Sequence, residues 1–328
     1  LNIGIVGAGA WGSALAVALS ERHRVTLWAR NAALASAIAA ERSNARYLPG
    51  VAIPDRVTVA AESGAEFAQQ DMLLVATPTA GLREALEKVR ASGFDGPLVW
   101  ACKGFEQASA KLPHQVASEV LGRRGACGAL SGPSFALEVA RGLPTALTLA
   151  ARDADFAKGL ARQLHQPTLR VYYSIDLVGV EISGAVKNVM AIAAGISDGL
   201  GLGLNARAAL ITRGLAELAR LGTALGGKGE TFMGLAGAGD LILTCTGELS
   251  RNRRVGLLLA RGEPLEATLE QLGHVAEGVY SARAVESLAS EKGIEMPITR
   301  AVCAVLFGGA APREAAKALL ARDPREEN

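Results

Sequence analysis

NIGIVGAGAWGSALAVALS, residues Asn2 to Ser20, sets a short apolar strand, a glycine cluster and a helical stretch in direct succession. The strand NIGIV runs into GAGAWG, from Gly7 to Gly12, and a helical pattern opens at once over Gly12–Glu21. In such a turn Gly7 permits the tight bend, Gly9 lets the backbone approach a pyrophosphate, and Gly12 allows close packing of helix on strand. The helix N-terminus offers free N–H groups to phosphate oxygens. A lone G-x-G-x-x-G is found in many turns. Strand, glycines and helix in this order point to a dinucleotide site.

The same grammar continues outward. Further strands are predicted at Arg24–Trp28, Met72–Ala76, Leu98–Ala101, Cys127–Leu130 and Thr145–Ala150. Most are continuous apolar runs, as in strands buried on both faces of a mainly parallel sheet. Helices are expected between them at Ala32–Glu41, Leu82–Ala91 and Leu112–Leu121. Beyond Ser174 the strand signal fades. Helical patterns then cover Val178–Gly195, Ala206–Leu225, Arg253–Arg261, Pro264–Leu272, Ser281–Lys292, Pro297–Phe307 and Pro312–Leu320. Pro264, Pro297 and Pro312 stand where a helix can begin. The expectation is an α/β chain in two parts. A doubly wound, Rossmann-type dinucleotide-binding domain takes residues 1–178, and an all-α domain that binds substrate and carries the chemistry takes residues 179–328. The cleft between two such domains is a common ligand site.

One charge in the second part is out of place. Lys187 lies in GVEISGAVKNVMAIAAGIS, from Gly179 to Ser197, where Ile182, Val186, Val189, Ala193 and Ile196 recur at helical spacing. Burial disfavours a lone ammonium and lowers a lysine pKa, which suits a group that exchanges a proton near neutrality. The alternative is a lysine that snorkels from a core helix to the surface.

The second strand, RVTLW, leads into Ala29 and Arg30 with no acidic residue to accept from a ribose 2′-hydroxyl. An arginine there can stack on adenine and pair with a 2′-phosphate, which favours NADP, with NAD as the alternative. If Arg30 points into solvent, the choice stays open. Four polar or glycine-rich islands complete the candidates. ACKGF places Lys103 after a strand, SGPSF places Gly132 and Ser134 after another with Pro133 suited to a first helical turn, GLAGAGDLILTCT carries Asp240 and Thr244 four apart, and SRNRR supplies Ser250, Arg251 and Asn252 for phosphate oxygens.

Composition excludes other classes. The chain has 328 residues, 50% hydrophobic and 20% charged, enough for two packed cores. Its net charge of +2, with no long basic face, argues against a nucleic-acid partner. Cys102, Cys127, Cys245 and Cys303 are far apart, and His23, His114, His165 and His274 show no metal spacing, so neither a disulfide framework nor a metal is expected. No leader-like segment precedes the first strand, and Glu181, Lys187 and Asp198 interrupt the apolar run near Lys187. A cytoplasmic protein without membrane insertion is expected. The apolar helical part makes a homodimer plausible.

GAGAWGSALA, ACKGF, SGPSFALEVARGLPTA, GAVKNVMAIAAG, NARAALITRGL, GAGDLILTCT and SRNRR, in this order, resemble the soluble bacterial NAD(P)-dependent glycerol-3-phosphate dehydrogenases, over Asn2 to about Leu320. The resemblance implies reversible reduction of dihydroxyacetone phosphate to sn-glycerol 3-phosphate for phospholipid synthesis. By motif match Lys187 is the catalytic acid/base. Lys103, Gly132, Ser134, Asp240, Ser250, Arg251 and Asn252 line the substrate, with Thr244 in support. Ala10, Trp11, Arg30, Lys103, Ala136, Arg251, Val275 and Glu277 join Gly7, Gly9 and Gly12 at the cofactor. The rival readings are a β-hydroxyacid or ketoacid dehydrogenase, whose carboxylate substrate leaves SRNRR unexplained, and a non-catalytic NADP-binding regulator.

Overall fold

The computed structural model describes residues 1–61, 64–122, 126–273 and 276–322. Contacts divide the chain into two compact units, Leu1–Glu181 and Ile182–Asn328.

The first unit opens with β1 (Asn2–Val6), α1 (Ala10–Leu19), β2 (Arg24–Ala29) and α2 (Ala32–Glu41), followed by β3 (Ser43–Asn44), β4 (Leu48–Ala52) and β5 (Val57–Ala61). Then come β6 (Met72–Val75), α3 (Leu82–Ala91), β7 (Leu98–Trp100), α4 (Pro113–Leu121) and β8 (Cys127–Ser131). It closes with α5 (Ala136–Ala140), β9 (Thr145–Ala151), α6 (Ala154–Leu164) and β10 (Leu169–Ser174). Eight strands form one sheet in the order β10-β9-β8-β7-β6-β1-β2-β5, and β3 and β4 form a separate antiparallel ribbon. The run from β5 to β8 is parallel throughout, while β9 pairs antiparallel with β8 and carries β10 parallel to itself.

Alternation along the strands explains why both faces are covered. Ile3, Ile5, Leu27, Met72, Leu74 and Val99 join one buried cluster with Leu15 and Leu19 of α1. Their neighbours Val6, Trp28, Leu73, Val75 and Trp100 alternate to the opposite face and are buried as completely. Burial of each such side chain contributes about 1.5–3 kcal/mol. This is the doubly wound sheet expected of the continuous apolar runs.

β3, β4, β5 and β10 were not among the predicted strands. β5 and β10 are the two edges of the sheet, and β10, LRVYYS, alternates buried and exposed residues at its start rather than forming a continuous apolar run. α5 and α6 also escape the sequence pattern. Pro133 is not in a first helical turn: it stands in the bend after β8, and α5 starts three residues later at Ala136. Gly132, at φ 135°, turns the chain there.

The second unit is helical among the described residues. α7 spans Leu177–Gly199, so the division between units falls inside it, and Asp176 caps it by accepting from the Gly179 N–H at 2.9 Å. α8 (Gly203–Ala224) and α9 (Gly229–Met233) follow, and a π-helical turn, Leu235–Gly239, runs straight into α10 (Asp240–Thr246). The last helices are α11 (Arg251–Ala260), α12 (Leu265–Leu272), α13 (Glu277–Glu291), α14 (Pro297–Phe307) and α15 (Pro312–Leu320). Pro297 and Pro312 occupy first helical positions and Pro264 precedes α12.

Every residue of α7 from Gly179 to Ser197 is buried. By length and composition α7 could cross a membrane, contrary to the expectation from its charges, yet 94% of its apolar window is buried inside the protein, as in a core helix. α7 and α11 touch backbone to backbone: a Cβ on Gly195 would lie 2.0 Å from the Arg253 carbonyl oxygen, and one on Gly256 2.0 Å from that of Ile192. That contact fixes the first two turns of α11 against the last third of α7.

Candidate active site

Lys187 does not snorkel. It is 6% exposed, and its Nζ donates to Asp240 Oδ1 at 2.5 Å and to Thr244 Oγ1 at 2.8 Å. Asp240 is 1% exposed, the first residue of α10, and Thr244 lies one turn on. The Thr244 hydroxyl donates to the Asp240 carbonyl at 2.6 Å, so it turns a lone pair toward the ammonium. The ammonium is therefore not lone: a buried carboxylate answers its charge, and α7 and α10 hold the two groups in register. Cys245, next in the chain, is no nucleophile, since burial pushes its thiol up to about 12.

α11 brings a second group to the same region. Ser250 caps it, its Oγ accepting from the Arg253 N–H at 3.2 Å, so the helix begins at Arg251, two residues before the predicted start. Asn252 is buried, donates from Nδ2 to Asn188 Oδ1 at 3.0 Å and accepts at Oδ1 from the Gly278 N–H at 3.0 Å. This amide chain ties the residue after Lys187 to α11 and to the start of α13, where Glu277 stands. Arg251 is exposed and makes no ion pair among the described residues. Arg253 is turned to structure, with Nε donating to Asp198 Oδ2 at 2.8 Å. Val275 lies outside the described residues, as does His274.

The first unit carries the nucleotide candidates at the carboxyl edge of its sheet. Gly7, at φ 112°, makes the turn, and a Cβ on Gly12 would lie 1.9 Å from the Gly7 carbonyl oxygen, so that position admits nothing larger. A Cβ on Gly9 meets no atom within 4 Å, which leaves open space above the loop. No side chain caps α1, so the N–H groups of Ala10, Trp11 and Gly12 begin it unanswered by a cap, and the buried Trp11 indole Nε1 has no partner. Uncapped N–H groups, an orphaned donor and open space suit an anionic dinucleotide. Asn44 pins the loop from below, donating to the Ala8 carbonyl at 3.0 Å and to Ser13 Oγ at 2.8 Å. Ala136, first in α5, packs against the same core as Trp11. Arg30 follows β2 with its side chain 77% exposed, 3.8 Å from Glu84.

Lys103, Gly132 and Ser134 come together beside this edge. Lys103 Nζ donates to the Gly132 carbonyl at 3.1 Å, and Ser134 Oγ donates to the same carbonyl at 2.9 Å. The loop bearing Lys103 is clamped by Arg83 of α3, which donates to both oxygens of Glu106 at 2.7 and 2.9 Å and to Glu119 of α4 at 2.8 Å. The Arg83 guanidinium holds the Glu106 carboxyl down at about 2.

Sequence reasoning missed Asn44, Asn188 and the Glu181 cluster. Glu181 accepts from Trp100 Nε1 at 2.8 Å and from the His114 N–H at 2.9 Å, and its second oxygen meets His114 Nδ1 at 2.5 Å. Burial pushes its carboxyl upward, opposed by those bonds. These partners lie far apart in the chain, and no local pattern marks them. Asn188 alone had a signal, its place next to Lys187.

Comparison with known proteins points to one family. The family described as NAD-dependent glycerol-3-phosphate dehydrogenase matches in both of its parts, N-terminus over residues 2–157 and C-terminus over residues 176–317. A glycerol-3-phosphate dehydrogenase (NAD(P)+) of Dechloromonas aromatica is 58% identical over 327 residues, covering 100% of this chain and 99% of the relative. The crystal structure of glycerol-3-phosphate dehydrogenase from Coxiella burnetii superposes with a TM-score of 0.92 at 41% identity, over 98% of this chain and 99% of that one. A ketopantoate reductase structure from Ralstonia eutropha shares the fold alone, with a TM-score of 0.58 at 16% identity over 96% of this chain and 100% of that one. With both of its parts matched by one family and a relative identical at more than half its positions, the chain belongs to the NAD-dependent glycerol-3-phosphate dehydrogenases.

Proposed function

We propose that this protein is an oxidoreductase that reversibly reduces dihydroxyacetone phosphate to sn-glycerol 3-phosphate with NADPH or NADH, the product serving glycerophospholipid synthesis. The buried Lys187–Asp240–Thr244 cluster carries the reading, since it combines a proton donor with groups that hold it in one place. Relatives named for NAD(P)+-dependent glycerol-3-phosphate dehydrogenase support the substrate and the cofactor pair.

The bound dinucleotide supplies the hydride that reduces the ketone carbon. As the carbonyl electron pair moves onto oxygen, Lys187 stabilises the developing negative charge and then gives that oxygen its proton. Lys187 becomes a neutral amine beside the Asp240 carboxylate. A buried carboxylate without its counter-charge is unfavourable, so Asp240 draws a proton back to Lys187 from solvent. The uncapped start of α1, Gly9, Trp11 and Arg30 hold the dinucleotide, with Ala136 and Glu277 at its margins. Arg251 and the N-terminus of α11, with Ser250 and Asn252, hold the substrate phosphate, and Lys103, Gly132 and Ser134 line the substrate. Fixing the phosphate fixes the reacting carbon relative to Lys187.

On this reading residues 1–178 form the dinucleotide-binding domain and 179–328 the substrate and catalytic domain. Arg30 points into solvent at the end of β2, which leaves NADH open as the alternative, and the lack of an acidic residue at that strand end to accept from a ribose 2′-hydroxyl favours NADPH. The protein acts in the cytoplasm on a small phosphorylated substrate, without nucleic acid or membrane insertion, as a homodimer. The test is an assay of dihydroxyacetone phosphate against 2-ketoacids with each reduced dinucleotide. Turnover of the phosphate ketone, faster with NADPH, is expected, and turnover of ketoacids alone overturns the proposal.

A further inference from the structure

Glu181 is a buried carboxylate that the reaction proposed above leaves unused. It lies in α7 and is 5% exposed. Its Oε1 accepts from the Trp100 indole at 2.8 Å and from the His114 N–H at 2.9 Å, and its Oε2 meets His114 Nδ1 at 2.5 Å. Trp100 is the last residue of β7, and His114 is the second residue of α4. Residues 101–112 between them form no helix or strand, and Lys103 is among them. One carboxylate oxygen thus joins the two ends of the loop that carries Lys103. All of these residues belong to the first unit.

An apolar side chain would fill that space without the cost of desolvating a carboxylate. Glu181 instead supplies an acceptor where the loop has none. The N-cap of α4 is Leu112, whose side chain cannot accept, so the His114 N–H in the first turn is answered from α7. Trp100 is fixed through β7, which pairs with β6 on one side and β8 on the other. The carboxylate passes that rigidity from the sheet to the far end of the loop. Inside the loop the supports are few: the Arg83–Glu106 pair, and backbone bonds from the Glu106 N–H to the Lys111 carbonyl at 2.9 Å and from the Ala110 N–H to the Glu106 carbonyl at 2.8 Å. Ala110 sits at φ 53°, a left-handed conformation that alanine keeps only where its surroundings impose it.

We infer that Glu181 is a positioning residue for the proposed reaction: by closing the base of this loop it fixes the Lys103 ammonium where the substrate binds. The inference rests on the function proposed above, in which Lys103 lines the substrate. A group misplaced by about 1 Å can cost about a hundredfold in rate, so a lysine on an irregular loop needs such a frame.

The test is a double-mutant cycle read in the steady-state reduction of dihydroxyacetone phosphate by saturating NADPH, well below every variant's melting temperature. Glu181→Leu removes all three bonds. Glu181→Gln keeps them, since its oxygen accepts from Trp100 and the His114 N–H while its amide donates to the ring nitrogen. Glu181→Leu should raise KM for dihydroxyacetone phosphate about tenfold, with the affinity for 2′,5′-ADP, a probe of the adenosine half of the cofactor, unchanged. Glu181→Gln should stay within about twofold of wild type. In a Lys103→Ala background, Glu181→Leu should change kcat/KM by less than about twofold, because the group it positions is gone. A wild-type KM in Glu181→Leu overturns the inference. So does a Glu181→Leu loss that is as large without Lys103 as with it, which marks a merely structural residue, and so does a Glu181→Gln variant as impaired as Glu181→Leu. If Glu181→Leu does not fold, Trp100→Phe takes its place in the cycle. It removes one bond and keeps a ring, a two- to fivefold rise in KM is expected (about the worth of one hydrogen bond), and a wild-type KM overturns the inference. Wild-type protein that reduces no dihydroxyacetone phosphate refutes the proposed function itself, a separate outcome.

Discussion

A buried ammonium is tolerable in α7 because Asp240 stands 2.5 Å away. The pair should therefore separate stability from activity. Lys187→Ala is expected to lower kcat about a thousandfold or more, the combined loss of proton donation and charge stabilisation, with NADPH affinity unchanged. Asp240→Asn leaves the ammonium without its counter-charge, so it should destabilise by about 3–5 kcal/mol in denaturant unfolding. Lys187→Met combined with Asp240→Leu should regain that stability and remain inactive; a double variant as unstable as Asp240→Asn refutes this account. Lys187 was legible in the sequence as a single cation in an apolar helix, and Asp240 and Thr244 as a pair one turn apart. The partners of Asn188 were not, although its place beside Lys187 marked the residue itself, because Asn252 and, through it, Gly278 lie 64 and 90 positions along the numbering and only the packing of α7, α11 and α13 joins them.

The glycines that begin α1 divide by what surrounds them. Gly12 faces the Gly7 carbonyl at 1.9 Å from a would-be Cβ, whereas Gly9 faces open space at φ −77°, a conformation alanine adopts freely. Gly12→Ala should unfold or strongly destabilise the first unit. Gly9→Ala should keep the wild-type melting temperature and lose NADPH binding, because its methyl fills the approach to the α1 N-terminus. Calorimetry with a binding titration checks both, and normal NADPH affinity in Gly9→Ala removes the loop from the site. Elements of this kind were readable because strand, turn and helix are contiguous. The sheet edges were not: β5 and β10 are bounded on one side only, so they lack the unbroken apolar signature of β1 or β6.

At the scale of the whole chain, the change from alternating strands to helices showed in periodicity alone, while the cross-links that stiffen each unit did not. The Arg83–Glu106–Glu119 clamp is one such cross-link, and it makes global stability depend on acid. The folded Glu106 carboxyl titrates at about 2 instead of 4.5, so the unfolded chain binds the extra proton between those values. The contribution is complete above about pH 5 and is lost as pH falls toward 2. Glu106→Gln should lower the melting temperature at pH 7 and flatten its fall on acidification; an unchanged acid slope would show that Glu106 is not a source of it. The positive charges proposed for the reaction are of two kinds. Lys187 is walled off by α7 and α10, while Arg30 and Arg251 stand in solvent. Dissolved ions gather around the exposed pair and weaken its hold on phosphates, but they do not reach the buried pair. On the proposed reading, ligands are captured by charges that respond to the saltiness of the cell, and the chemistry is performed by one that does not.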